Sequence, residues 1–527
     1  MRPPADATIA QKVAQLERIF PDSRGHRNAL RLLGSQFTYA EVVDLPHAGI
    51  VGVCLVRFSS SIEAAFGFTR EVAIYYSQYT DLQTRTHAAL REHLRTGLPR
   101  DVTPDVVLLS APDDGLELKA DDWSRPTLAI VPLPSFGPKE ATESADAFIS
   151  ILQRRLFKRD LFSETTPVSG RDFFGRQRVL QSLARDVEAQ RVPAIHGLRK
   201  TGKTSLLHAL REHLAETDDS LVFVLRDLES LPAPDNGAIR ELVPDLADAL
   251  RLALRERGFR NVELADLPTD ASIAQLRRAL LGVLERERAP LRIVVALDEI
   301  EYLCPPGLVQ ETIPAAEDVP QFLGALRSVQ QENESFTFAM SGLTTSITEA
   351  STLYGRPNPI FAWGKPYYLP PFDIAEATDL VRTIGYRMGT AWDDASIDAL
   401  VSETGGHPYL LRSLASDVAR SLPIRAEQRR VYKSHVERTA VDWRRRLAGT
   451  REAMLADLYR YYPEEAALLE LFSEAPEHFY LLAGESDIAL AHLLQLGLLR
   501  NVTRSEFDLT ELARVLGVVD STGGAVR

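Results

Sequence analysis

Residues 197–204 read Gly-Leu-Arg-Lys-Thr-Gly-Lys-Thr, the pattern GxxxxGK[ST], and constrain the fold more than any other stretch. A short apolar run, Val192-Pro193-Ala194-Ile195, precedes them, and an amphipathic stretch, Ser205-Leu206-Leu207-His208-Ala209-Leu210, follows. Strand, glycine-rich turn and helix are the setting this pattern requires. A polyphosphate needs backbone N–H groups converging around it, and glycine lets the chain curl that tightly. The helix adds its unpaired N-terminal donors and positive dipole end. Gly197, Leu198, Arg199, Lys200, Thr201, Gly202 and Ser205 therefore form the expected cradle. In that cradle Lys203 reaches the β- and γ-phosphates of a nucleotide, and the Thr204 hydroxyl ligates Mg²⁺.

A second stretch belongs with the first. Leu291-Arg292-Ile293-Val294-Val295-Ala296-Leu297 is the nearly continuous apolar run of a strand buried on both faces, and it ends in Asp298-Glu299. At such a strand end Asp298 is expected to help hold the magnesium, while Glu299 polarises the attacking water. A glutamate at 299 argues for hydrolysis of ATP rather than binding alone.

The chain has 527 residues, too many for one core. No apolar run reaches the length that spans a bilayer, and Met1-Arg2-Pro3-Pro4-Ala5-Asp6 lacks the apolar core of a secretion signal. Cys54 and Cys304 offer neither a disulfide framework nor a metal cluster, so a reducing cytoplasm is the expected location. A net charge of −13 opposes a general nucleic-acid coat. The densest basic patch, Arg425, Arg429, Arg430, Lys433, Arg438 and Arg444-Arg445-Arg446, reads as a solvated helix face.

Composition and periodicity divide the chain. Residues 1–160 read as a separate α/β domain, with helices near 8–20, 81–96 and 138–156 and strands near 48–58, 70–77, 105–110 and 127–132. Residues 161–172, polar and broken by Pro and Gly, read as a linker. Residues 173–365 carry five β-segments interleaved with helices, which predicts a doubly wound parallel sheet with its ligand at the strands' carboxyl ends. Residues 366–440 are expected to be helical. Residues 441–516 offer helices near 451–460, 463–474 and 485–496 and a β-pair, 498–502 with 507–509, the order of a winged helix. The Gly-rich tail, 517–527, is expected to be disordered.

In this order, Phe173-Phe174-Gly175-Arg176, residues 197–207, Leu297-Asp298-Glu299-Ile300-Glu301, Asn358-Pro359-Ile360-Phe361 and Thr404-Gly405-Gly406-His407-Pro408-Tyr409-Leu410-Leu411 resemble the archaeal-type ATPases. These form the STAND and origin-recognition-like branch of the AAA+ family. The resemblance covers about 170–516 and implies an ATPase core, a helical lid and a winged helix. It also implies that Phe174, Gly175 and Arg176 lie near the adenine edge, and that Ser341 is the polar sensor after the fourth core strand. By the same resemblance Arg356 points at a neighbouring subunit's γ-phosphate, and His407 and Pro408 read the nucleotide from the lid. Such proteins are ATP-driven switches, several of them in bacterial defence or signalling, with partners or self-association through the appended domains. Where origin-recognition proteins carry a sensor arginine at the lid helix, this chain has Gly405-Gly406-His407-Pro408; Arg412 lies one turn later.

Two other classes have their own signals. A DNA-binding ATPase resembling replication initiators would use the winged helix, yet Glu485 to Gln495 is mostly acidic or neutral where exposed, and the wing offers only Arg500 and Arg504. Protein packing is the favoured role for that region. An ATP-gated nuclease would use Pro104-Asp105 and Glu117-Leu118-Lys119, which fit the loose PD-(D/E)xK pattern, with two carboxylates on adjacent strands holding a metal. A non-catalytic sensor or partner-binding domain is the favoured reading of 1–160.

Overall fold

The computed structural model describes residues 8–518 except 44, 46–48, 100–101, 126–127, 137–140, 164–166, 169, 260–261, 287–289, 308, 424–428, 484–486 and 504–505. The linker expected at 161–172 and the basic patch (at Arg425), the start of the 485–496 helix, Arg504 of the wing and most of the tail thus fall wholly or partly outside the described residues. The chain forms two compact units: 1–164 with 378–400 and 412–441, and 165–377 with 401–411 and 442–527.

The first unit is built on a five-stranded sheet, β1 Gln36–Glu41, β2 Ile50–Arg57, β3 Val72–Ser77, β4 Val106–Ser110 and β5 Ala129–Pro132, in that spatial order. The β1–β2 and β2–β3 junctions are antiparallel, and the β3–β4 and β4–β5 junctions are parallel. Strand side chains alternate between faces. Ile74 and Tyr76 therefore pack into one apolar cluster with Val13, Leu16, Leu30 and Phe148, while Ala73 and Tyr75 enter another with Leu82, Leu90, Leu116 and Trp123. Both faces are covered, so β3 and β4 are buried along their whole length.

This unit overturns the nuclease pattern. Glu117 and Lys119 lie on a helix, Leu116–Trp123, and not on a strand beside Asp105. The Glu117 side chain is exposed, and the Lys119 amine is taken by Asp113 at 2.8 Å and Asp81 at 2.5 Å. Asp105 is buried and neutralised by Arg159 at 3.1 Å and Arg387 at 3.4 Å. A carboxylate already paired with two guanidinium groups is a poor metal ligand. Tyr75 and Tyr76 belong to the core, with both rings fully buried.

The second unit holds the parallel sheet. Its order is Gly364–Tyr368, β6 Val192–His196, β9 Phe336–Gly342, β8 Arg292–Asp298 and β7 Leu221–Asp227, every junction parallel. From β6 the chain crosses to β7 at the far edge, returns through β8 and β9, and leaves for the opposite side. β6 therefore sits where the connections change direction, the place at which open α/β sheets bind ligands. Apolar residues of the helices Ala238–Glu256, Ile273–Arg286 and Asp318–Glu332 cover one face. The helices Gln177–Glu188 and Lys203–Thr217 cover the other.

Beyond the sheet, the helices Ala448–Tyr461, Pro463–Glu474, Pro476–Ala483 and Asp487–Gln495 precede an antiparallel pair, Leu499–Thr503 with Glu506–Leu509, and a last helix, Glu511–Leu516. The wing residue Arg500 is spent on Asp508, at 2.5 Å, and Glu511. In the basic patch Arg444 is paired with Glu403 and Arg445 with Asp442, while Arg429 departs from the expected solvated face: it is buried and donates to the Met388 and Ala419 carbonyls.

Gly405 and Gly406 both take positive φ, +61° and +69°. A Cβ on Gly405 would stand 2.3 Å from Leu512 Cα, and one on Gly406 would stand 2.4 Å from the Phe372 carbonyl oxygen. The pair exists to let three backbone segments approach. Gly405→Ala is therefore expected to destabilise the protein by about 1–3 kcal/mol through overpacking and strain. Chemical denaturation that shows an unchanged midpoint would count against this close approach.

Candidate functional site

β6 ends at His196, and the loop 197–202 turns the chain into the helix Lys203–Thr217. The turn is made by Lys200 and Gly202, at φ +62° and +96°. Gly202 faces open space, with nothing within 4 Å of where its Cβ would be. Thr201 Oγ1 donates to the Leu198 carbonyl at 2.9 Å and stiffens the curl. Lys203 is buried, and its Nζ donates to the Gly197 and Leu198 carbonyls at 3.3 and 3.2 Å. The loop therefore holds the amine within its own ring, where a phosphate would meet it. Burial pushes the Lys203 pKa down, opposed by Glu301, Glu299 and Asp298.

β8 and β9, neighbours in the sheet, deliver the acids. Asp298 is the last residue of β8 and is buried. Its Oδ1 accepts the Glu299 amide at 3.0 Å and the Ser341 hydroxyl from the end of β9. Ser341 thus stands beside Asp298. Glu299 takes a left-handed conformation, φ +59°, which turns its side chain out of the strand direction. Its carboxyl is pushed up to about 8 by burial and then by the adjacent Glu301.

His407 and Pro408 follow the Gly405-Gly406 turn. Pro408 opens the helix Pro408–Ser421, a favoured place for a residue without an N–H. His407 is buried, and burial takes its pKa down to about 4. It is therefore neutral near pH 7, and its Nε2–H donates to the Arg199 carbonyl at 3.0 Å. Its Nδ1 is buried without a hydrogen-bond partner. The Lys200 ammonium sits 3.8 Å over the Tyr409 ring. The Arg199 side chain pairs with Asp457, at 2.6 Å, on the helix Ala448–Tyr461.

The Phe174-Gly175-Arg176 turn is held from within. Arg176 is buried, donates to the Pro370 carbonyl and lies 4.8 Å over Phe372, while its backbone N–H donates to Glu376 at 2.8 Å. A Cβ on Gly175 would meet Glu376 and Phe372 at 2.9 and 3.0 Å. Arg176 thus fastens the turn rather than presenting a free cation. The Ser205 hydroxyl accepts the Val168 amide at 3.1 Å. Arg356 is exposed and paired with Glu317 at 2.7 Å through Nε, away from these groups. Arg412 is buried and donates to the Leu161 carbonyl.

Sequence reasoning passed over four participants: Glu301, Asp457, Glu376 and His492. His492 is buried between two carboxylates, Glu465 at 2.5 Å and Glu349 at 2.9 Å, and stacks on Tyr368, which in turn packs on His196 at the foot of the loop. Burial opposes a charge on His492, but the two carboxylates outweigh it and lift its pKa to about 9.

The half-buried Thr204 and Asp298 fit a magnesium site of the usual sparse kind. Mg²⁺ takes one or two protein ligands and fills the rest with phosphate oxygens and water. Consistently, no group of three or more His, Cys, Asp or Glu among the described residues is arranged to hold a metal unaided. No helix among the described residues is long and apolar enough to cross a membrane.

Residues 185–349 match the family model described as an AAA domain. No curated protein matches the chain. Among solved structures, the Walker-type ATPase PABY2304 of Pyrococcus abyssi is similar at 16% identity with a TM-score of 0.46, over 68% of this chain and 99% of that one. The RuvB Holliday junction branch migration motor of Thermotoga maritima is similar at 16% identity with a TM-score of 0.33, over 65% of this chain and 94% of that one. The loop and strands β6 to β9 lie within the residues that match the AAA domain.

The His492 cluster carries a pH signature. Its pKa in the fold lies above the unfolded value of about 6.5, so its stabilising contribution is complete below that value and is lost as pH rises through about 9. The stability gap between the native chain and His492→Gln is expected to be constant up to about pH 6.5 and to shrink from there to about pH 9. A gap that widens over that interval would contradict the charged clamp.

Proposed function

We propose that the protein is an ATP-binding and ATP-hydrolysing molecular switch of the STAND/AAA+ type. The observation that carries this reading is the buried Lys203 amine, held by loop carbonyls and acted on by Asp298 and Glu299 at the end of β8. When bound, Mg-ATP would supply the electrophilic γ-phosphorus, its oxygens polarised by Mg²⁺. Lys203 would exchange its carbonyl partners for phosphate oxygens. Thr204 and Asp298 would hold the metal, Ser341 would keep Asp298 oriented, and Glu299 would take the proton of the attacking water. Burial and the neighbouring Glu301 push the Glu299 carboxyl up to about 8, and a bound Mg²⁺ would favour its ionised form.

Residues 366–440 act as the lid and 441–516 as the winged helix in this reading. His407 supports it by touching the phosphate loop through the Arg199 carbonyl, and Asp457 by holding the Arg199 side chain. Nucleotide exchange would alter both contacts and so change how the domains are arranged or associate. Neutralisation of Arg500 by Asp508 and Glu511 favours a protein-packing wing over a DNA-reading one. Residues 1–160 serve as the sensor or partner-binding domain, and Arg356 as a group offered to a neighbouring subunit. Bacterial defence or signalling is the setting that the family resemblance implies, in the cytoplasm.

Lys203→Ala is expected to weaken ATP binding by ~10- to 100-fold, the worth of charge-assisted hydrogen bonds. Glu299→Gln should keep ATP binding while its turnover falls by ~10²–10⁴-fold. Calorimetric titration and phosphate release check the two variants. Equal turnover in the native chain and Glu299→Gln would remove Glu299 from the role of base.

A further inference from the structure

Glu301 lies in the single 3-10 turn Ile300–Tyr302 that follows the acid pair, and its side chain is turned inward, 3% exposed. One carboxylate oxygen, Oε2, accepts the amide of Leu343 at 2.9 Å, the first residue after β9. That contact is close enough to exclude a side chain at the strand's end. A Cβ on Gly342 would stand 2.4 Å from Oε2 and 3.0 Å from the Ile300 amide nitrogen.

The other oxygen, Oε1, is buried with no hydrogen-bond partner. An open, buried carboxylate oxygen is costly, and mere attachment of two loops would not require one. It is found beside groups that do chemistry. Of the charges acting on Lys203, Glu301 is the strongest, ahead of Glu299 and Asp298. Of those acting on Glu299, it is again the first, and only a proton shared between the two carboxyls would give Glu301 a further partner.

We propose, resting on the ATPase reading above, that Glu301 is a positioning residue of the hydrolytic site. One oxygen pins the end of β9, which sets Ser341 against Asp298; the charge of the carboxylate acts on Glu299 and Lys203 and fixes where the Glu299 carboxyl stands. The residue touches neither nucleotide nor water in this account and acts through its neighbours.

The test uses the full chain and MgATP, with turnover, KM, equilibrium binding of a fluorescent ATP analogue and thermal melting measured side by side. In Glu301→Gln the amide oxygen still accepts from Leu343, so melting and KM are expected to stay near native values. Turnover is expected to fall ~10- to 100-fold, as loss of an orienting partner does. Glu301→Asp, which keeps the charge but withdraws it, is expected to lose turnover as well while still binding ATP. Native turnover in Glu301→Gln would overturn the proposal, and so would a loss matched by a fall in melting temperature or confined to KM. A native chain that neither binds nor hydrolyses MgATP would sink the ATPase reading and this proposal together. Normal hydrolysis by the native chain beside an unimpaired Glu301→Gln would sink this proposal alone.

Discussion

Burying an ammonium group is expensive unless acceptors replace the water it loses. At Lys203 the carbonyls of Gly197 and Leu198 and the acids of β8 and the following turn provide that replacement. The rest of the second unit can be understood as what this arrangement demands. β6 must lie inside the sheet, next to β9, so that its loop opens beside that strand's end, and the strand order does this. β8 and β9 must end at the same level, and Ser341 bonded to Asp298 is the sign that they do. The loop must also be gripped from outside, by His407 at the Arg199 carbonyl and Asp457 at the Arg199 side chain.

The loop therefore has two kinds of neighbour: the acids that act on Lys203, and the contacts of His407 and Asp457 with Arg199. His407 is neutral and spends one ring nitrogen on the loop while the other remains unpartnered. His492 is the opposite case, a charged imidazolium between Glu465 and Glu349. Two histidines in one unit are pushed to opposite charge states by desolvation in one case and paired carboxylates in the other. Each joins chain segments that are far apart in sequence.

Much of this was legible in the residues. The phosphate loop, β6 and β8 could be read because an apolar run followed by a special turn is a local signal, and the AAA-domain match over 185–349 agrees with it. The edge strand Gly364–Tyr368 was not named, because Pro366 and its half-exposed residues lack the pattern of a core strand; an edge position tolerates both. The PD-(D/E)xK pattern puts Glu117 on a strand, but the segment is helical. Glu301, Asp457 and His492 gave no local signal at all. Their roles depend on Leu343, Arg199 and Glu349, partners that only the folded chain brings near. Asp105 misled for the same reason, since nothing nearby in sequence announces Arg159 or Arg387.

The central claim is that the amides of residues 197–205 form the cradle of a triphosphate. Hydrogen exchange followed by mass spectrometry, with and without MgATP, tests it most directly. The account predicts slowed exchange in the peptide spanning 197–207 and in the one containing Asp298 and Glu299 on adding MgATP. Unchanged exchange in both at saturating nucleotide would contradict it.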